Sequence, residues 1–261
     1  MSLPLHNQTI LVTRAANQAQ TFRNLLENEG ATVIEMAALE IRPPSSWEAL
    51  DQALNTLSSF DWLILTSANG VKFFFQRLEE LGIDRATLNP IKIAVVGKKT
   101  AKVLEKYGFT PTFIPPNFVA DSLVESFPEN LSGKRILFPR VESGGREVLI
   151  QEFQQKGADV IAVSAYQSSC PEKPDLVAIE ALKAQQIDII TFASSKTVKY
   201  FYDLLLPIFS SGVNLEQVLA PVAIASIGPQ TSQACQKWLG RCDLEAKEYT
   251  LEGLTQAIID Y

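Results

Sequence analysis

Histidine is almost missing from this chain: His6 is the single one in 261 residues. A Ser–His–Asp or Cys–His nucleophile, or a histidine-rich metal site, therefore has almost no material. Cysteine is scarce too. Cys170, Cys235 and Cys242 form no CxxC pair and are odd in number, which argues against both disulfides and a structural zinc. Cys235 lies in an apolar helical stretch and reads as a small buried hydrophobe. No run approaches the roughly eighteen apolar residues of a membrane span. The opening "MSLPLHNQTILVTR" lacks the basic and apolar regions of a signal peptide, so a cytoplasmic location is expected. Basic blocks are absent and the net charge is −6, so nucleic acid and membrane surfaces are poor partners. An anionic small molecule stays open, because local backbone amides receive it whatever the global charge.

What is present is a repeat. "ILVTR" at Ile10–Arg14 returns as "ILFPR" at Ile136–Arg140, 126 positions on. At an offset of 127, Gly30 meets Gly157, Asp61 meets Asp188, Ser67 meets Ser194 and Lys72 meets Lys199. At 131, Gly97 meets Gly228, Thr100 meets Thr231 and Tyr107 meets Trp238, and "FVADSL" meets "YTLEGL". An ordered series with nearly constant offset is a duplication.

Each half alternates strands and helices. Short apolar runs ("TILVT", "DWLIL", "KIAVV"; "RILF", "DIITF", "PVAIAS") are the pattern of strands buried on both faces of a parallel sheet. Between them, apolar residues at three- and four-residue spacing mark helices, for example Phe22, Leu25 and Leu26, or Val148 and Phe153. Gly30 and Gly157 fall at helix C′ positions. The expected fold is α/β: two doubly wound, flavodoxin-like domains of about five strands each. "MAALEIRPP" and "VSAYQSSCP" look extended and are expected to connect the domains, in one crossing or two.

Ligands of open parallel sheets bind beyond the carboxyl ends of the strands. Six such turns are named by the repeat: Thr13–Asn17, Pro139–Arg146, Thr66–Gly70, Ala193–Thr197, Gly97–Thr100 and Gly228–Thr231. Gly97 and Gly228 are expected to let the chain turn sharply, with Thr100 and Thr231 in the first turn of a helix. Taken singly, Ser67, Ser194, Thr100 and Thr231 read as helix caps. Together the turns fit a large polyanion, since each helix-terminus contact is worth about 0.3–1 kcal/mol and micromolar binding needs about 8. Arg14 and Arg140 sit just past the first strand of each half, and Arg146 one turn later; their guanidinium forks suit carboxylates. Lys72 and Lys199 read as solvent-facing helix positions. Tyr166 aligns with Leu39, so one polar aromatic breaks the symmetry beside the connector. It is either a proton donor or a packed connector residue.

The ordered set "ILVTRA", "LILTSANGV", "AVVGKKTA", "ILFPRVESGGRE", "VIAVSAYQS", "ITFASSKTV", "SIGPQTSQA" and "EYTLEGL" resembles uroporphyrinogen-III synthase from about Thr9 to Ile259. "TSANGV" departs from many relatives after the serine, which leaves Ala68 and Asn69 without a carried-over role. The resemblance implies cyclisation of hydroxymethylbilane, with loss of its terminal hydroxyl and inversion of the last ring through a spirocyclic pyrrolenine. It implies no metal or organic cofactor, and a substrate with eight carboxylates. It also implies a two-stranded connector at 39–42 and 167–171, a discontinuous domain of residues 1–38 and 172–261, and a second of residues 43–166 with the cleft between them. Tyr166 becomes the candidate catalytic acid. Arg14, Ser67, Gly97, Thr100, Arg140, Gly145, Arg146, Ser194, Ser195, Gly228 and Thr231 are the candidate substrate contacts. Tyr166→Phe is expected to lower turnover substantially, and Ser67→Ala or Thr100→Ala to change it little. A monomer is expected. The main rival is a two-lobed anion-binding protein without catalysis; a nucleotide enzyme lacks its glycine fingerprint and acidic ribose ligand.

Overall fold

A computed structural model describes residues 3–116, 120–143, 147–209 and 214–261. The apolar runs form strands β1 (Thr9–Val12), β2 (Thr32–Glu35), β3 (Glu40–Arg42), β4 (Trp62–Leu65) and β5 (Lys92–Val95). They continue with β6 (Arg135–Val141), β7 (Asp159–Ser169), β8 (Ile189–Phe192), β9 (Ala223–Ser226) and β10 (Leu244–Glu245). The helices are α1 (Ala16–Asn28), α2 (Glu48–Asn55), α3 (Ala68–Glu80), α4 (Lys98–Glu105), α5 (Ala120–Glu125) and α6 (Glu147–Gln155). After them come α7 (Leu176–Lys183), α8 (Ser195–Leu205), α9 (Leu215–Leu219), α10 (Pro229–Leu239) and α11 (Leu251–Ile259). No helix among the described residues is long and apolar enough to cross a membrane.

The chain divides into two units, one of Met1–Glu40 with Ser169–Tyr261 and one of Ile41–Ser168. In the first, the sheet order is β10-β9-β8-β1-β2, parallel throughout. Counted along the chain within that unit, this is the 2-1-3-4-5 order of flavodoxin. In the second unit the order is β3-β7-β6-β4-β5, with β7, β6, β4 and β5 parallel. By the repeat, β6, β7, β4 and β5 stand where β1, β2, β8 and β9 stand in the first unit. Four strands of the two sheets are thus arranged alike, the fifth lying on opposite edges (β10 beside β9, β3 beside β7), and each sheet takes its strands from both halves of the duplication.

Burial follows the sequence pattern. β4, β8 and β9 are buried at all four positions. Alternate residues serve opposite faces of a strand. Ile10 and Val12 enter one cluster of the first unit, with Phe22, Leu26, Leu254 and Ile258, while Leu11 enters the other, with Phe192, Phe201 and Ile224. In the second unit, Leu63 and Leu65 join Val71, Phe74 and Leu78, whereas Trp62 and Ile64 join Phe138, Leu149 and Phe153. Gly30 and Gly157 have φ of +96° and +86° directly after α1 and α6, the left-handed stop expected of them. One helix face needs correcting. Val148 is 58% exposed, and α6 packs through Leu149 and Phe153, whose i, i+4 spacing lies one position along.

Candidate active site

In a sheet of this order the switch point lies where neighbouring strands lead away in opposite directions, here β6/β4 in the second unit and β1/β8 in the first. The turns after these strands carry most of the candidate residues.

In the second unit, β4 runs into Ser67, the N-cap of α3, whose Oγ accepts the Gly70 N–H at 2.9 Å. The same Oγ lies 3.0 Å from the Tyr166 phenol oxygen. Tyr166 reaches it through an irregularity in β7. Arg140 pairs with Ser164 but Val141 pairs with Tyr166, so Ala165 is an extra residue on β7. Strict alternation would send Ala165 and Tyr166 to opposite faces. The bulge puts both into the cluster under α3. There the Tyr166 ring stacks on Phe73 with centroids 5.9 Å apart and planes at 17°. Gly70 lies beside it: a Cβ there would be in ordinary contact with the ring, 3.9 Å from Tyr166 Cε1. Tyr166 is 9% exposed.

Arg140 donates to Glu147 Oε1 at 2.6 Å, an ion pair between β6 and the first turn of α6. Gly145 and Arg146 lie outside the described residues. The Gly97–Thr100 turn has Gly97 at φ +88°, a left-handed value for which glycine is suited, and Thr100 4% exposed with its N–H on Gly97 O at 3.1 Å.

In the first unit, Ser194 caps α8, accepting the Thr197 N–H at 3.3 Å, and its Oγ lies 2.6 Å from Thr197 Oγ1. Ser195 Oγ donates to Gln230 O at 2.8 Å, tying the α8 turn to the α10 turn. Thr231 is 4% exposed, its N–H on Gly228 O at 2.9 Å. Gly228 departs from the expected sharp turn: its φ of 163° is extended backbone. What calls for glycine there is Tyr249, whose Cδ1 would stand 2.9 Å from a Cβ. Ser194, Ser195, Gly228, Gln230, Thr231 and Tyr249 line a groove of about 400 Å³. Arg14 is half-buried just beyond β1, and burial pushes its guanidinium below its ordinary pKa.

Sequence reasoning thus named the hydroxyls and glycines of these turns but missed Phe73, Gln230 and Tyr249. For Tyr249 a signal existed: "FVADSL" and "YTLEGL" both begin with an aromatic, Phe118 and Tyr249. Phe118 lies outside the described residues.

Fold and site together define a class, two α/β units on parallel-stranded sheets, the first in flavodoxin strand order, whose turns beyond the strand ends present hydroxyls, amides and one phenol. The profile of the family described as uroporphyrinogen-III synthase HemD matches residues 20–256. The chain belongs to the uroporphyrinogen-III synthase family. It is 50% identical to the uroporphyrinogen-III synthase of Synechococcus elongatus over 98% of this chain and 96% of that one. It is 28% identical to that of Chlorobaculum parvum over 97% and 98%. Among solved structures, the uroporphyrinogen-III synthetase of Helicobacter pylori matches with a TM-score of 0.62 at 19% identity, over 97% of this chain and 99% of that one, a likeness of fold.

Proposed function

We infer that this chain is a uroporphyrinogen-III synthase: it cyclises hydroxymethylbilane, inverts the terminal ring and releases water, with Tyr166 as the acid. Family membership supports the reaction. The observation that supports the residue is the Tyr166–Ser67 contact at the α3 N-terminus, beside the switch point of its sheet. Ser67 Oγ already accepts the Gly70 N–H, so its own proton is available to the Tyr166 oxygen. In that arrangement the phenol O–H is free to point at a ligand. It donates its proton to the leaving hydroxyl; the C–O bond breaks, water departs, and the electron-rich pyrrole becomes an azafulvene cation. The last pyrrole then attacks through its substituted carbon to give a spirocyclic pyrrolenine. That carbon's bond to its original methylene breaks, and the ring's free carbon bonds the released methylene. The proton lost from that free carbon restores the pyrrole and balances the one given up by the phenol.

The harder task is geometric, because attack through the free carbon gives the uninverted ring. Positioning and exclusion of water outweigh any one side chain here. We take the capped turns at Ser67 and Ser194, and the Gly97 and Gly228 turns, as receivers of substrate carboxylates through their amides and hydroxyls. Arg14 and Arg140 add positive charge nearby, Arg140 having to share its guanidinium with Glu147. Thr100 and Thr231 are nearly fully buried and close their turns through their backbone N–H groups, and Thr231 also lines the groove of the first unit. The working unit in this reading is a single chain in the cytoplasm, and sedimentation at assay concentration checks the monomer.

The test is an isomer assay. Freshly generated hydroxymethylbilane is supplied, the products are oxidised, and the uroporphyrin isomers are separated. Predominant isomer III is the expected result. Isomer I alone, at the rate of an enzyme-free control, would reduce the chain to an anion binder of this fold.

A further inference from the structure

Tyr249 immediately precedes Thr250, the N-cap of α11, and stands outside the turns that the repeat singles out. It is 66% exposed, so most of its ring remains in water and contributes little to the core. The ring nevertheless lies hard against the bare backbone of Gly228, where a Cβ would meet Cδ1 at 2.9 Å and Cε1 at 3.3 Å. Because φ at Gly228 is open to any residue, the ring is what demands glycine. An exposed aromatic held in place by the absence of a side chain beneath it is shaped for something other than packing.

The ring forms one wall of a groove in which Ser194, Ser195, Gln230 and Thr231 stand among the apolar Ala193, Ile227 and Pro229. The Thr231 hydroxyl, in a residue 4% exposed, has no hydrogen-bond partner among the described residues. A flat apolar face next to hydroxyls and helix-terminal amides suits a planar heterocycle carrying anionic arms. Each ring of the linear tetrapyrrole is such a group.

We propose that Tyr249 is a specificity-determining residue for the substrate: its exposed face takes one pyrrole ring in an offset stack while the polar groups of the same groove take that ring's carboxylates. The assignment rests on the synthase reading. It acts in binding and ring placement, upstream of the acid step at Tyr166.

Steady-state kinetics with isomer analysis on the full chain tests it. Tyr249→Ala raises KM about tenfold, the size of one lost aromatic–heterocycle stack, with kcat within about twofold. Tyr249→Phe recovers most of that loss, since the stack does not use the hydroxyl. Gly228→Ala, which crowds the ring, raises KM in the same direction. Circular dichroism and melting temperature of each variant stay at the wild-type values. Isomer III from the wild type with an unchanged KM in Tyr249→Ala overturns the Tyr249 assignment alone. An equal loss in Tyr249→Phe overturns the stack, and a fall in kcat and melting temperature at constant KM makes the ring structural and overturns it too. Absence of isomer III from the wild type overturns the synthase reading and this assignment with it.

Discussion

The two copies of the strand–Gly-x-x-Thr–helix turn share a backbone plan and differ in what surrounds it. Thr100 and Thr231 are each 4% exposed, each with its N–H on the glycine carbonyl three residues back. Yet Gly97 has a left-handed φ of +88° with nothing among the described residues within 4 Å of a would-be Cβ, whereas Gly228 is extended and covered by Tyr249. The serine turns diverge in the same way. Ser67 and Ser194 both cap helices, but Ser67 reaches the Tyr166 phenol while Ser194 reaches Thr197 Oγ1. Gly70 stands where Thr197 stands in the other copy, so the hydroxyl that partners Ser194 has no counterpart beside Ser67. Duplication kept the roles that the backbone needs, and the candidate chemistry sits where the copies disagree.

The sharpest break of the comparison is at Tyr166, whose counterpart is Leu39. Tyr166→Phe is expected to lower kcat about 10²-fold, the usual worth of a positioned acid, while isomer III remains the product. Turnover equal to wild type would remove the acid assignment. Next comes the serine pair. Either Ser67→Ala or Ser194→Ala loses a cap worth about 1 kcal/mol, readable by denaturant titration. Only Ser67→Ala also leaves the phenol without its partner, so its kcat falls about tenfold, a hydrogen bond's worth of about 1.4 kcal/mol, while the loss in Ser194→Ala falls on KM. This replaces the small effect expected of Ser67 from sequence, where it read as a helix cap and candidate substrate contact without a link to Tyr166. Equal kinetics for the two variants would mean that the 3.0 Å contact has no part in the reaction.

The frame of the molecule was legible because its signals are local or periodic. Apolar runs such as "DWLIL" announce strands covered on both faces, and the capping serines announce α3 and α8 within a residue. The repeat offset named Ser67/Ser194 and Gly97/Gly228 together. What escaped notice depends on contacts distant in sequence. Ser67 and Tyr166 lie 99 positions apart and meet only because β7 carries an extra residue at Ala165. A bulge leaves no mark in composition. Gly228 misled for a related reason: a glycine before a helix reads as a turn, and its real cause, a ring 21 positions on, shows only in three dimensions. Val148 failed more simply, since one position of drift exchanges the inner for the outer face of a helix.

The glycine pair separates stability from binding. Gly97→Ala forces a Cβ onto a left-handed backbone and is expected to lower unfolding stability by about 1–2 kcal/mol. Gly228→Ala meets no such backbone strain, so its effect falls on the Tyr249 ring and the groove. Chemical denaturation of both variants decides it, and an equal stability loss would put Gly228 back among the glycines required by the turn.

The smallest effect separates the most nearly equal pair. Asp61 and Asp188 each stand just before the strand that follows, and each accepts the N–H of the residue that opens a neighbouring strand, Arg135 at 2.8 Å and Thr9 at 2.7 Å. Only in the second unit is a lysine recorded on that carboxylate, Lys134 at 3.1 Å. The Arg135 N–H first, and then Lys134, hold the Asp61 carboxyl below its ordinary pKa against an opposing effect of burial. A carboxyl whose folded pKa lies below its unfolded value stabilises the fold above the unfolded value of about 4, and that stability is lost as pH falls through the folded value. With the Asp61 side chain 37% exposed, the contribution is screened and stays under about 1 kcal/mol. The gap in melting temperature between wild type and Asp61→Asn should therefore be widest near neutral pH and close below about pH 4. A gap that stays flat over that range would show that the ionised carboxylate contributes nothing to the fold. Added salt should narrow the neutral-pH gap by the share owed to Lys134, leaving the strand-opening hydrogen bond that both copies possess.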